Sequence, residues 1–354
     1  MVKSKAAGLR LNLGAWWDDG YIGLKFVNIP EVLPVAIPQA GRWEDLNLCF
    51  APIRHEDLDD IFKSLMSFRL PRLHTLKITF SRSSGNGRHP SLHFYKTWEL
   101  NNLRTLNITN ASAPEAFAAP LLTSLSITNY DGFVDYGKLF DFLSANRALE
   151  DILLWFSNCG RFGNPVVGDA VLENVKTFKI FTRYTSIDDL YPLRKALRIP
   201  NVEEIELKCI ERSFYNEDFN EEHRRDSNKY LEFLLCGDDS YPHLESLTYE
   251  HDCSKGNYIL PFDKTPNLRS LKLHTSSRCP SVTGLGTLPP LRELRVHLHD
   301  SSWLGWMKKL HQHMLEQDKL SGLETLVLHH EDRSIGDIGE LFGNRRTVWK
   351  GPPE

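Results

Sequence analysis

The chain lacks the features that mark membrane, secreted and nucleic-acid-binding proteins. No apolar run reaches the roughly 18 residues that a membrane span needs. The start, MVKSKAAGLRLNLGAWWDDG, holds no apolar core followed by a small-residue cleavage site, so we expect no signal peptide. The formal net charge of -4 provides no basic field for a phosphate backbone. We therefore expect neither a membrane nor a nucleic acid as a partner.

Signals of redox, metal and catalytic chemistry are also scarce. The six cysteines are scattered without CxxC spacing, which favours a reduced compartment, either cytoplasmic or nuclear. The chain has no GxSxG, no HExxH and no phosphate-binding glycine loop. The carboxylates of HEDLDD (55–60) have helical spacing and are explained by a solvated helix face. We expect no enzyme activity and no cofactor.

What the sequence does contain is a short repeated pattern. In LNNLRTLNITN (100–110), Leu103 and Leu106 are three residues apart, and Ile108 follows Leu106 after two. A spacing of two places both side chains on one face of a strand, while the spacing of three belongs to the turn before it. LPRLHTLKITF (70–80) and APLLTSLSITN (119–129) repeat the pattern, so each unit is predicted to be a turn followed by a strand.

Eleven copies of the pattern cover most of the chain. The residues at the second apolar position of each copy are Leu46, Leu76, Leu106, Leu125, Ile152, Phe178, Ile205, Leu247, Leu271, Leu294 and Leu326. Most of their separations are typical of leucine-rich repeats. The predicted fold is therefore α/β, an irregular leucine-rich-repeat solenoid. We expect a right-handed horseshoe with a parallel concave sheet and convex helices.

A solenoid grows by adding units, so the length alone does not require a second domain. We predict an N-terminal cap with a weak first repeat at 1–40, the solenoid at 41–335 and a C-terminal tail at 336–354. The segment 111–120 is too short and too rich in proline for a full helix. Helical crossovers are predicted at 55–68, 136–149, 186–199, 228–237 and 301–317, a flexible loop at 81–91 and a polar surface insertion at 211–230.

The concave face is the predicted binding surface, and its side chains change character along the chain. A threonine and serine zone precedes an apolar patch, which is followed by acidic residues and then by a basic and histidine-rich zone. Exposed aromatics beside charges are typical of interface hot spots. The predicted partner-binding residues are Leu153, Trp155, Lys179, Phe181, Glu204, Glu206, Lys208, Glu250, Lys272, His274, Arg295 and His297.

Two of these features have simpler explanations. Trp155 and Phe181 could be covered by a neighbouring loop, since isolated exposed apolar residues are common. His274, His297 and His329 should lie in one row at a spacing at which imidazoles could share a metal. A solvated histidine row that gains positive charge in mild acid is the simpler explanation, and we prefer it. We predict no metal site.

Several segments resemble the leucine-rich-repeat region of fungal F-box proteins, especially those of basidiomycetes. GRWEDLNL (41–48) is similar to the Arg-Trp-x-x-Leu-x-Leu strand of that family. LPRLHTLKI, LNNLRTLNI and APLLTSLSI resemble the copies that follow. The likeness extends over roughly residues 9–330. It implies a protein-interaction module that recognises the substrate of an F-box-type ubiquitin ligase.

The F-box of that family opens with a Leu-Pro-x-Glu-like helix start and docks a Skp1-type adaptor. In this chain IPEVLPVAIP (29–38) has prolines at three places, which excludes such a helix. A Skp1-type adaptor is therefore expected only if an F-box exists outside this chain. The chain is either a fragment or truncated gene product, or a free-standing repeat scaffold or inhibitor unconnected to ubiquitin transfer.

Overall fold

The computed structural model describes residues 8–15, 35–50, 69–81, 98–114, 117–162, 170–185, 187–210, 240–252, 260–275, 286–298, 302–330, 341–343 and 347–350. The helices predicted at 55–68 and 228–237 lie outside these residues. The insertion at 211–230 and nearly all of the loop at 81–91 do so as well.

Short strands outnumber helices along the described chain. The strands are β1 (Leu9–Ala15), β2 (Trp43–Phe50), β3 (Thr75–Phe80), β4 (Thr105–Thr109), β5 (Ser124–Asp135), β6 (Asp151–Phe162), β7 (Ala170–Val171), β8 (Thr177–Arg183), β9 (Leu197–Arg198), β10 (Glu204–Ile210), β11 (Ser246–Asp252), β12 (Ser270–Thr275), β13 (Glu293–Leu298), β14 (Thr325–His330) and β15 (Thr347–Lys350). The helices are α1 (Tyr136–Ala145), α2 (Ile187–Ala196) and α3 (Ser302–Glu316). Short 3-10 helices are found at Ile37–Arg42, Phe262–Lys264 and Leu320–Gly322.

The chain forms two compact units, a division that the predicted domain boundaries do not mark. The first unit contains Met1–Val175 and Lys195–Arg198, and the second contains Lys176–Arg194 and Ile199–Glu354. In the first unit β1 to β6 pair in chain order, and every pair is parallel. Strands β7 and β9 form a separate parallel pair.

The second unit follows the same rule. Its strands pair in the order β8, β10, β11, β12, β13, β14 and β15, and all of these pairs are parallel. Parallel neighbours need crossover connections, which the segments between the strands provide. Mixed α/β architecture with parallel strands and few helices is therefore confirmed for each unit. Thr347–Lys350, which the sequence places in a tail, adds β15 to the edge strand β14.

The repeated apolar positions form the core, as the sequence pattern predicts. All eleven residues at the second apolar position are at most 2% exposed. The next inward residue of each strand, for example Ile78 or Leu154, is equally buried. Alternation along a strand directs the residues between them to the other face. The predicted register of the repeats is confirmed within each unit, because the residues at the second apolar position pair with those of the neighbouring strands, as Leu76 does with Leu106.

Backbone hydrogen bonds join successive repeats at one recurring point. The amides of Arg104 and Thr105 both donate to the carbonyl of His74, at 2.9 and 3.0 Å. This carbonyl follows the first apolar residue, Leu73, and marks the turn into the strand. The same double acceptance recurs at the carbonyls of Arg104, Thr123, Lys176, Glu203, Glu245, Arg269 and Arg292. Each strand that receives such a pair of bonds therefore begins in a fixed position relative to the strand before it.

Asparagines beside these turns link repeats through their side chains, a role that the sequence pattern does not reveal. Each precedes the first apolar residue of its repeat and donates from Nδ2 to a carbonyl of the previous repeat. The bonds join Asn102 to Pro71 at 2.6 Å, Asn174 to Arg147 at 2.9 Å and Asn267 to Pro242 at 2.6 Å.

The helix predictions at 136–149, 186–199 and 301–317 are confirmed by α1, α2 and α3, each shorter than its predicted segment. Helix α1 begins where Asp135 accepts a hydrogen bond from the amide of Lys138, an N-cap that satisfies a free backbone donor. No helix among the described residues is both long and apolar enough to cross a membrane.

The segment at 111–120 crosses without a helix in its described residues, as its length and prolines predict. Asn146, which is buried just after α1, holds this segment in place. Its Oδ1 accepts from the amide of Ala119 at 2.8 Å, and its Nδ2 donates to the carbonyls of Phe117 and Phe142 at 2.8 and 2.7 Å. One buried side chain therefore pairs with a backbone donor and a backbone acceptor of this segment.

Candidate functional site

The outer face of each sheet, defined here as the side opposite the buried residues, presents two rows of side chains. In the first unit the central row is Asn47, Lys77, Asn107, Ser126 and Leu153, and the next row is Cys49, Thr79, Thr109, Thr128 and Trp155. In the second unit the central row is Lys179, Glu206, Thr248, Lys272 and Arg295, and the next row is Phe181, Lys208, Glu250, His274, His297 and His329. Strand pairing places these residues side by side in the order that the sequence predicts.

The apolar patch of the first unit includes an aromatic residue that the sequence interpretation missed. Leu153 and Trp155 lie on the outer face of β6, and both are partly buried. The ring centroids of Tyr130 and Trp155 are 5.9 Å apart, with the ring planes tilted by 59°. Such aromatic pairs add to the stabilisation from buried area. Because Trp155 keeps part of its surface exposed, this patch remains accessible for contact.

The other end of the first unit carries a polar recess of about 490 Å³. Asn47, Lys77 and Asn107 line it and lie opposite one another on successive strands. Arg10 closes one side through an ion pair to Asp45 of 2.7 Å. Amide side chains offer both donors and acceptors to a peptide backbone. The sequence predicts a neutral zone here but gives no reason to select the asparagines as a group.

In the second unit the acidic residues alternate with lysines across the strands. Lys179 Nζ lies 3.1 Å from both Glu204 Oε1 and Glu206 Oε2. Lys208 Nζ lies 3.2 Å from Glu206 Oε1 and 3.3 Å from Glu250 Oε2. The acidic zone predicted from the sequence is therefore largely neutralised by the lysines beside it. We call these five residues the charge network.

The ionisation equilibria of the charge network follow from this pairing. Partial burial disfavours the charged form of Lys208. Attraction to Glu250, together with hydrogen bonds to Glu206 and Glu250, outweighs this effect of burial and raises the pKa of Lys208. Burial likewise opposes the charge of Lys179, and its bonds to Glu206 and Glu204 raise the pKa of that lysine. The hydrogen bond from His274 is the main cause that lowers the pKa of Glu250, against the opposing effect of burial.

Phe181 lies beside the charge network and contacts one of its lysines. Lys208 Nζ is 5.2 Å from the centroid of the Phe181 ring, within the range of a cation–π interaction. Phe181 is partly buried, so the loop cover considered from the sequence does not hide it completely. Phe181 belongs to the second unit and Trp155 to the first. The predicted extension of the apolar patch from one residue to the other remains a prediction.

In the row that contains Glu250, the positions on the three strands after it are histidines. The centroid of His274 lies 4.3 Å from that of His297, which lies 5.8 Å from that of His329. The row is therefore formed as the spacing predicts. His297 is only 9% exposed, so its side chain contributes little accessible surface to a partner. Within the described residues, no group of three or more histidine, cysteine or acidic side chains is arranged to hold a metal ion.

The central row of the second unit ends at a buried residue. Strand pairing aligns Val327 with Arg295. Val327, however, is 4% exposed and belongs to the buried core rather than to an accessible surface. Arg295 is held by Glu293, whose Oε1 accepts from its Nε at 2.6 Å. The positive charge of Arg295 therefore lies beside a carboxylate with which it is already paired.

A groove of about 260 Å³ opens on the outer face between β11 and β14. Lys272, His274, Arg295, His297 and His329 line it. Glu250 lines its acidic side. The groove brings together four of the predicted partner-binding residues with positive or potentially positive side chains.

The fold and its outer face define the class of this protein. It is an α/β protein of repeated parallel strands whose outer face carries rows of aromatic, charged and histidine side chains. A scan of the chain against protein-family models gives no match, and a search against curated protein sequences gives none either.

Proposed function

We propose that this chain is a non-enzymatic protein-interaction module that binds a protein partner on the outer face of its strands. The observation that carries this proposal is the combination of partly exposed aromatics with charges that are already paired. Trp155 and Phe181 offer the large rigid surfaces that dominate binding energy. The charge network beside Phe181 offers a polar rim, where complementarity sets specificity more than affinity.

The finer assignment is a leucine-rich-repeat horseshoe that recognises the substrate of an F-box-type ubiquitin ligase. Its support is the regular burial of the repeated apolar positions, together with the resemblance of GRWEDLNL (41–48) and the copies after it to fungal F-box proteins. In this proposal the outer face corresponds to the concave surface of the horseshoe. A Skp1-type adaptor would bind through an F-box outside this chain.

The experiment compares proteins recovered by the tagged parent, by Trp155→Ala and by Leu315→Ala. Leu315 is the control, because it is a 50% exposed apolar residue that lies on helix α3 and not on a strand. Trp155→Ala should weaken binding by more than about 1 kcal/mol and so lower the amount of each specific partner recovered. Leu315→Ala should leave that amount unchanged. Equal recovery by all three folded proteins would contradict binding at this patch.

The same recovered proteins discriminate between the two biological roles. Recovery of a Skp1-type adaptor with the natural full-length gene product would support the ubiquitin-ligase assignment. Recovery of a partner that depends on Trp155, without any adaptor, would instead support a free-standing scaffold or inhibitor.

A further inference from the structure

The groove of about 260 Å³ on the second unit has a specific charge arrangement. Its floor runs over Leu273 and Val296, whose side chains are buried on the opposite face of the sheet. Its walls come from Lys272 and Arg295 in the central row and from the histidines in the next row. This volume is below the usual range for a whole small-molecule ligand, and it suits one or two side chains of a partner.

The acidic residues near the groove are already engaged by other groups. Glu250 accepts from Lys208 at 3.3 Å and lies 3.5 Å from Nδ1 of His274. Glu293 accepts from Ser270 Oγ at 2.7 Å and is paired with Arg295. These contacts limit how much negative charge the groove presents to a partner.

Lys272 differs from the lysines of the charge network. It lies opposite Thr248 on one neighbouring strand and opposite Arg295 on the other. Among the residues that the structure describes, no carboxylate lies within 4.0 Å of its ammonium group. Burial opposes the charge of Glu293, and Ser270, Arg295 and then the more distant charge of Lys272 lower the pKa of that carboxyl. A partly exposed ammonium beside a guanidinium favours an anionic group.

We propose that this groove binds aspartate or glutamate side chains of an acidic segment of a protein partner, with Lys272 as the principal contact. The proposal rests on the proposed function and names the chemistry of the partner. Arg295 provides a second contact while retaining its bond to Glu293. Neighbouring strands lie about 4.8 Å apart, so two carboxylates of one partner segment can bind Lys272 and Arg295 at the same time.

The test uses a fluorescent peptide of alternating serine and glutamate, with a serine–glutamine peptide of equal length as its neutral control. Fluorescence anisotropy with the whole chain should show binding of the acidic peptide only. Lys272→Gln should weaken this binding several-fold, and Lys272→Arg should retain most of it. Lys272→Gln combined with Arg295→Gln should weaken it about tenfold or more.

The matched control is Arg292→Gln combined with Lys308→Gln, which removes the same charge from exposed positions outside the groove. It should change peptide affinity by less than about twofold. Equal weakening by the control and the groove variants would overturn the proposal. So would equal binding of an oligonucleotide of the same charge, because the groove would then be a general polyanion site.

The proposal and the proposed function can fail separately. Absence of acidic-peptide binding by the folded parent, with recovery of a protein partner that depends on Trp155, would overturn the acidic-segment proposal alone. Peptide binding that depends on Lys272, with unchanged partner recovery by Trp155→Ala, would support the groove and contradict the aromatic anchor.

Discussion

His274 Nδ1 lies 3.5 Å from Oε1 of Glu250, and this contact joins the charge network to the histidine row. Glu250 thereby receives contacts from His274 on one neighbouring strand and Lys208 on the other. Its pKa in the folded chain is lowered, first by the hydrogen bond from His274 and then by the positive charge of Lys208. The carboxylate is a link between two parts of the outer face that the sequence treats as separate zones.

This arrangement predicts a pH-dependent contribution of Glu250 to stability. A carboxyl with a lowered folded pKa stabilises the fold above its unfolded pKa of about 4.3, and the contribution is lost as the pH falls through the folded pKa. Glu250→Gln should therefore be less stable than the parent near pH 7, by no more than about 1 kcal/mol because the site is partly exposed. Denaturant unfolding should show the difference shrinking in acid. A difference that grows below about pH 4 would contradict the assignment.

The repeat register predicts unequal costs for two adjacent residues of β4. Leu106 is buried in the core and Asn107 lies on the outer face. Leu106→Ala should lower the free energy of unfolding by about 2 to 5 kcal/mol, because it leaves a cavity. Asn107→Ala should change it by less than about 0.5 kcal/mol. Equal costs in denaturant melts would mean that the register is wrong.

Asn146 should be far more important for stability than an asparagine on the surface. Asn146→Ala removes three buried hydrogen bonds and leaves Ala119 N–H and the Phe117 carbonyl without this partner. We expect a loss of about 2 to 4 kcal/mol. The control, Asn102→Ala, breaks only an exposed bond to Pro71 and should cost less than about 1 kcal/mol. Thermal unfolding that ranks the variants in the opposite order would exclude this role.

Glu250 should affect how quickly a partner associates rather than how long it stays bound. A charge at the edge of an interface acts through long-range attraction or repulsion, which salt screens. With an acidic partner segment, Glu250→Gln should raise the association rate a few-fold, and the gain should vanish at high salt. Surface plasmon resonance measures both rates. A change confined to the dissociation rate would place Glu250 at the centre of the interface.

The strands were predictable because burial imposes a spacing that the sequence must carry. In every repeat, from Leu46 to Leu326, the residue at the second apolar position lies in a strand and in the core. Helices α1, α2 and α3 were predictable for the same reason, since their apolar residues repeat at helical spacing. Asn146 was not predictable, because one polar residue after a helix resembles any other turn residue until its partners are known.

The sequence predicts which residues form the rows of the outer face, but it does not predict which of their side chains contact each other. Strand alternation identifies Lys179, Glu206 and Lys208 as outward residues. The ion pairs between them depend on side-chain conformations across three strands. The pattern of residues within one strand does not contain that information. Tyr130 was missed for a related reason. It lies beyond the repeated pattern, in the extended part of β5, and reaches Trp155 from the neighbouring strand.

Chemical labelling of carboxylates, with and without a recovered partner, tests the central claim most directly. Glu204 and Glu250 report on the outer face, while Asp141 on α1 and Glu316 on α3 report on the helices. Mass spectrometry should show that the partner lowers the labelling of Glu204 and Glu250 and leaves that of Asp141 and Glu316 unchanged. Protection of Asp141 or Glu316, with full labelling of Glu204 and Glu250, would contradict binding on the outer face.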